Sequence, residues 1–389
     1  MVYTLLAIFG YFLYGFGPTV PLLRDELGVS RAVGALHATV LAGGAVLGSL
    51  VGQRVVRAIG RLHILWLGIG MLCVGVVGYC AFRALPLTLT AAFLCGLGGT
   101  LLLNGINATL MELHHEGGPA AITEANAGAG IAGIVAPTVI GACVAIGFGW
   151  RAGLLVTVVL TGVAAIVFRG VRVPEPVPVD PADHPHGVSR LPREFWLTWC
   201  LLVCVVGVEF CLSLWSSDLL RSRTGLTAGA ATAGFAAVIT GLTISRLVGG
   251  PIAVRRGTDW VLGRALVVLL LGFSVFWLAR TPWLALLGLV VAGLGLGVQY
   301  PLSVGRAIGT APGRTDLAAS RASLATALSS GLAPFALGFA ADRVGTHTAF
   351  LLVPALIVAA MVLLAVSRPG LQRGARQPAP RPADSPGAA

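Results

Sequence analysis

Lysine is absent: all 26 basic residues of this 389-residue chain are arginine. A Gly-rich, Lys-Ser/Thr phosphate loop is therefore impossible, which excludes ATP drive within the chain. Arginine and lysine do similar work in loops but use different codons, so the bias points to a GC-rich genome. Charge is scarce as well. Charged residues make up 11% of the sequence, against about a quarter in soluble proteins, which excludes an ordinary soluble domain. The seven cysteines (Cys73, Cys80, Cys95, Cys143, Cys200, Cys204 and Cys211) all lie in apolar stretches without a metal-spaced pair. They read as small buried hydrophobes, and no metal-ligand cluster is present. A net charge of +11 and a pI near 10.2 would suit nucleic acid. The arginines instead flank apolar runs, as at a cytoplasmic membrane surface, and no nucleic-acid partner is expected.

What the chain does have is apolar length. Hydrophobic residues make up 56% of it and mean hydropathy is +0.90. At roughly 20 residues per membrane span this predicts an all-α polytopic membrane protein. Twelve spans are expected, at about 3–23, 33–53, 62–82, 86–108, 122–146, 152–169, 195–217, 228–250, 260–279, 283–308, 317–340 and 347–367. The first run lacks a basic n-region and a small-residue cleavage site and reads as a retained helix. With the chain starting almost at the membrane, either the cytoplasmic N-terminus is tiny or Met1 is not the true start. Residues 170–194, with Pro174, Pro176, Pro178, Pro181 and Pro185, form an extended cytoplasmic linker. It separates a lobe at 1–169 from a lobe at 195–367, and the Pro/Arg-rich tail 368–389 reads as disordered. With the N-terminus inside, 18 arginines fall on the inner side and 8 on the outer. That bias predicts both termini on the cytoplasmic side, and a bacterial plasma membrane is the expected location.

The sequence also repeats. Shifted by 197 residues, Leu22-Leu23-Arg24 and Gly28 fall on Leu219-Leu220-Arg221 and Gly225. Gly52 falls on Gly249, Gly96-Leu97-Gly98 on Gly293-Leu294-Gly295, and Ala136-Pro137 on Ala333-Pro334. Matches gather at equivalent helix ends while the apolar filling drifts. A duplicated half in so apolar a chain points to a two-lobed transporter.

Polar residues within spans are costly and mark a cavity or a helix contact. Glu209, in span 7, is the only acid deep in a span, with Ser213 and Ser216 on the same face. It couples protons or counters a cationic substrate; the structural alternative is a neutral acid bonding between helices. Span 4 carries Thr100, Asn104 and Asn107, which either contact substrate or glue helices together. Span 10 carries Gln299, Ser303 and Arg306 beside Tyr300-Pro301, where carbonyls freed by proline suit a hinge or a binding site. Arg306, near the inner end, reads as a topology or gating charge. Tyr11 and Tyr14 in span 1 either line the same cavity or pack. Glu124 falls opposite Arg321 in the repeat, and an inter-lobe salt bridge between them would close the inner side.

Two six-helix halves joined by a charged linker, with basic loops after the second helix of each half, resemble the major facilitator superfamily over 1–367. The family's loop motif, G-x-L-A-D-R-x-G-R-R, is matched by Gly250 to Gly257 with Arg255 and Arg256, and more loosely by Gly52 to Gly60-Arg61 with Arg57. Both copies lack the acid thought to latch the lobes. The fuller spelling, Gly338 to Gly345 with Asp342-Arg343, falls on the outer side between spans 11 and 12, where it reads as a tight turn. Gly133 to Pro137 and Gly141 resemble the Gly-Pro motif of family antiporters, while the motif arginine of span 4 is replaced near Ala92. The resemblance implies a monomeric secondary transporter, not an enzyme, driven by the proton gradient without a cofactor. Alternating access would occur around a site in spans 1, 4, 7 and 10. Proton-coupled export of a small organic molecule is the leading expectation. Uptake of a small metabolite or anion by symport is the alternative, and a non-transporting membrane receptor or scaffold would represent a different class.

Overall fold

A computed structural model describes residues 1–114, 118–171, 191–311 and 315–374. The expected linker, the tail, and Arg172, Arg190 and Arg314 thus fall wholly or largely outside the described residues. Among the described residues the chain is a bundle of α-helices with twelve stretches long and apolar enough to cross a membrane. The first six helices are α1 (Val2–Leu27), α2 (Arg31–Ile59), α3 (Arg61–Ala81), α4 (Leu85–His114), α5 (Gly118–Ala145) and α6 (Gly149–Val167). Next come α7 (Arg193–Thr224), α8 (Ala228–Gly234) with α9 (Ala236–Arg256) as one broken span, and α10 (Thr258–Leu278). The last are α11 (Pro282–Leu296) with α12 (Gln299–Gly309), α13 (Thr315–Val344), and α14 (Thr346–Ala349) with α15 (Leu352–Gly374).

The repeat reappears as geometry. Gly28 and Gly225, repeat mates, end α1 and α7 in the left-handed conformation at φ 63° and 70°. Glycine reaches that region without a Cβ penalty. Within each half, helices approach through matched glycines: a Cβ on Gly96 would meet the Leu41 backbone of α2, and one on its mate Gly293 the Val238 backbone of α9. Small residues let membrane helices pack by close van der Waals contact.

Several helices outrun their expected spans, α2 and α9 among them. The motif segments after spans 2 and 8 are helical rather than loops: α2 continues to Ile59 and α9 to Arg256, carrying Pro251 inside it. The chain turns only at Gly60 and Gly257, at φ 81° and 88°. Gly52 and Gly250 therefore sit inside helices, with Gly250 facing open space.

Mirrored ion pairs brace this end. Arg61 at the start of α3 pairs with Glu112 of α4, while Asp259 of α10 accepts from Arg306 Nε of α12 at 2.8 Å. The two halves use opposite polarity for one joint. Arg306 also donates through Nη1 to Thr198 Oγ1 at 2.6 Å, so it is held within its own half.

The opposite end, where α1 and α7 finish, joins the halves. Arg24 pairs with Asp218 and, at 3.0 Å, its repeat mate Arg221 pairs with Asp25. Arg31 reaches Asp218 at 3.4 Å. Asp342 accepts the backbone N–H groups of Arg31 and Ala32, both at 2.9 Å, capping α2 from the other half. The charged end expected at this turn is thus a cross-lobe cap. Below it α2 packs on α13, where Thr39 Oγ1 donates to the Gly331 carbonyl at 2.9 Å, and α5 packs on α8 at Gly141 and Gly229.

Candidate substrate and proton site

Between the halves lies a cavity of about 190 Å³ bordered by α1, α4, α5, α7, α9, α12 and α13. Four repeat-mate pairs line it: Phe9 and Val206, Leu13 and Phe210, Leu103 and Tyr300, Ala129 and Thr326. It therefore straddles the axis relating the halves. Its chemistry is lopsided. The second half contributes Glu209, Arg246, Tyr300 and Thr326; the first is mainly apolar, apart from Tyr14 and Asn126.

Arg246 is the residue that sequence reasoning misplaced. The expected span 8, at 228–250, puts Arg246 close to its inner end, and the sequence therefore groups it with the 18 inner-side arginines. Since α9 runs to Arg256, ten residues beyond it, Arg246 sits about 15 Å inside the helix end. Its guanidinium lies within electrostatic reach of Glu209, Tyr14 and Tyr300. Arg246 Nε donates to the Gly297 carbonyl at 3.3 Å. That carbonyl is free because the residue four positions on is Pro301, which has no N–H. The freed carbonyl expected beside Pro301 exists, and span 10 breaks there, between α11 and α12. A further signal was available in the repeat: the mate of Arg246 is Ser49, a charge gained in one half only.

The other expected residues distribute as follows. Glu209 and Tyr14 reach the cavity, and Gly133 leaves room for the Tyr14 ring, which any Cβ there would strike. Tyr300 lines the cavity, but Gln299, Ser303 and Arg306 turn away and are buried, Gln299 and Ser303 without side-chain hydrogen bonds. Ser213 packs on Gly17 in the α1–α7 seam, and Ser216 is fully buried one turn beyond. Thr100 faces Gly48 of α2; Asn104 is exposed, and the Asn107 carbonyl oxygen is buried and unpartnered. Tyr11 donates to the Gly153 carbonyl at 2.8 Å and borders a separate, almost wholly apolar hollow of about 360 Å³ between α1, α5 and α6. Glu124 accepts from Tyr3 at 3.3 Å, and the carbonyl of exposed Arg321 accepts from Trp199 Nε1 at 2.8 Å, so the structure does not join that pair.

A twelve-span bundle of duplicated halves around a central cavity with one charged wall defines a membrane transport protein. The family model described as Major Facilitator Superfamily matches residues 2–259, and the chain belongs to that family. No curated protein sequence matches it. Solved structures share the fold at low identity. A bacterial homologue of the human lysosomal transporter Spinster, inward-facing and unoccupied, has a TM-score of 0.75 at 15% identity, covering 97% of each chain. The nucleoside transporter NupG gives 0.74 at 13%, over 94% of this chain and 98% of its own. The E. coli fucose:proton symporter FucP gives 0.62 at 16%, over 94% and 97%.

Proposed function

We propose that this transporter is a proton-coupled secondary carrier of a small organic molecule, with Glu209 as its proton site. The observation that carries this reading is a single cavity between the halves holding both Glu209 and Arg246. An acid beside a fixed cation can exchange a proton for a change of partner, which a lone buried acid cannot. The halves 1–169 and 195–367 rock about this cavity by alternating access, the protein acting as a monomer without a cofactor. With Arg246 taken out of the inner count (18 − 1), the arginine bias of 17 to 8 supports cytoplasmic termini in a bacterial plasma membrane. In that orientation the Arg24–Asp218 end is outer and closed, and the structure corresponds to the inward-facing state. The Glu124–Arg321 pair then forms in the outward-facing state, in which Ser213, Ser216 and the polar faces of spans 4 and 10 become available to the path.

Export is supported by the Gly133–Gly141 stretch, which keeps Pro137 inside α5. Uptake of an anion by symport is the second reading, and Arg246 is the observation that favours it. Solute-evoked proton flux in proteoliposomes tests the proposal, with cationic, neutral and anionic solutes tried in turn. A flux lost in Glu209→Gln supports it, and the direction of flux separates antiport from symport. Uphill transport undiminished in Glu209→Gln overturns it.

A further inference from the structure

The cavity's charges also indicate what it carries. Its fixed cation is Arg246, which gives one of its five N–H groups to the Gly297 carbonyl and another to the Tyr14 phenol. Glu209 and the Tyr300 phenol line the same cavity beside this guanidinium. A planar guanidinium binds a carboxylate through two parallel hydrogen bonds. Opposite this charged wall, Phe9, Leu13 and Leu103 present an apolar one. A cavity of about 190 Å³ accommodates a molecule of modest size.

We infer that the cargo is a small monocarboxylate with an apolar or aromatic body, its carboxylate replacing that of Glu209 at Arg246. This rests on the proton-site reading given above. Ionised Glu209 and the cargo compete for one guanidinium. A proton taken from bulk water by the Glu209 carboxylate neutralises it and releases Arg246 to the anion. The proton and the anion then cross together, and both leave on the far side when Glu209 ionises and recaptures Arg246. The coupling is one proton per monoanion, so no net charge moves. The direction follows the two gradients, which lets one mechanism serve uptake or the export of an acidic product. The groups facing Glu209 are Arg246 from α9, Tyr14 from α1 and Tyr300 from α12, with Asn126 and Thr326 as neutral polar neighbours. Arg246 is thus the group whose pairing changes when Glu209 titrates.

Equilibrium binding to the purified full chain tests this, using acetate, butyrate, octanoate, benzoate and phenylacetate, each against its amide and amine. At least one of the larger carboxylates should bind, its amide and amine at least about tenfold more weakly. Wild-type affinity for it should rise as pH falls from about 8 to about 6, a range in which the ligand stays ionised. Glu209→Gln should bind it tightly with a flat pH profile, and Arg246→Gln should lose about tenfold or more. Because Arg246 also holds the Gly297 carbonyl, Arg246→Lys serves as a second variant and should retain intermediate affinity. Failure of every carboxylate to bind wild type, preferential binding of an amine, or a pH profile unchanged in Glu209→Gln would overturn the inference. Proton flux evoked by an amine or a neutral solute, and abolished in Glu209→Gln, would remove the carboxylate while leaving the proton site standing.

Discussion

Arg246 Nε donates to the main-chain carbonyl of Gly297, an oxygen that Pro301 leaves without its helical partner. One proline thereby fixes the arginine that lines the central cavity and sets the break in span 10. The Pro301→Ala variant restores an N–H able to bond Gly297 and compete with Arg246. We expect α11 and α12 to join and transport to fall several-fold, while the melting temperature holds or rises. A hydrogen bond to a charged group is worth about 1.5–3 kcal/mol, enough to reposition the side chain. Wild-type transport in Pro301→Ala would show that the anchor is dispensable.

The joined end should behave as a latch. Asp218 is buried between Arg24 and Arg31, with its side chain 6% exposed. Breaking a buried pair costs up to about 3–5 kcal/mol where a charge is stranded; here Arg24 keeps Asp25 and Arg31 keeps Asp342, so the loss is smaller. Asp218→Asn should therefore shift the population toward opening at this end. Faster thiol labelling of a cysteine placed at Ser222 would report it. Unchanged labelling would mean that packing alone holds this end closed.

Asp342 contributes to the same closure through the backbone. Its two bonds to the start of α2 are those of an N-cap supplied from the other half. Loss of such a cap costs about 1 kcal/mol, so Asp342→Ala should raise the same labelling rate by less than Asp218→Asn. Both act through Arg31, and the double variant should be less than additive. Strict additivity would separate the cap from the ion pairs.

The mirrored pairs Arg61–Glu112 and Arg306–Asp259 are each held within one half. Asp259→Asn should lower thermal stability by about 1.5–3 kcal/mol, the worth of a hydrogen bond to a charged group, since Arg306 is almost fully buried. Solute preference should stay unchanged. A changed preference with intact stability would instead place Arg306 on the transport path.

The sequence made much of this legible, for physical reasons. Span length, the 197-residue repeat and the glycine turns are local or periodic features, and they reappear as the helices, the paired αL caps at Gly28 and Gly225, and the matched glycine contacts. Glu209 stood out because a carboxylate in a span is costly wherever it points. Arg246 did not, because Gly249-Gly250-Pro251 reads locally as a helix end, whereas packing carries α9 through it to Arg256. Facing direction was harder still. Gln299 and Tyr300 are adjacent in sequence, yet one is buried against protein and the other lines the cavity. Only the break at Gly297 fixes which is which. Arg24 and Arg221 read as shared scaffold, because partners such as Asp218 and Asp25 become visible only when the halves meet.

The central claim is that Glu209 gains and loses a proton within the cavity it shares with Arg246. Infrared difference spectroscopy of the reconstituted protein, titrated from alkaline to mildly acidic pH, reads this directly and requires no knowledge of the solute. The account predicts that a protonated-carboxyl band grows as pH falls in wild type and is missing from Glu209→Gln. A band assignable to Glu209 that persists at every pH, or identical difference spectra for the two proteins, would contradict it.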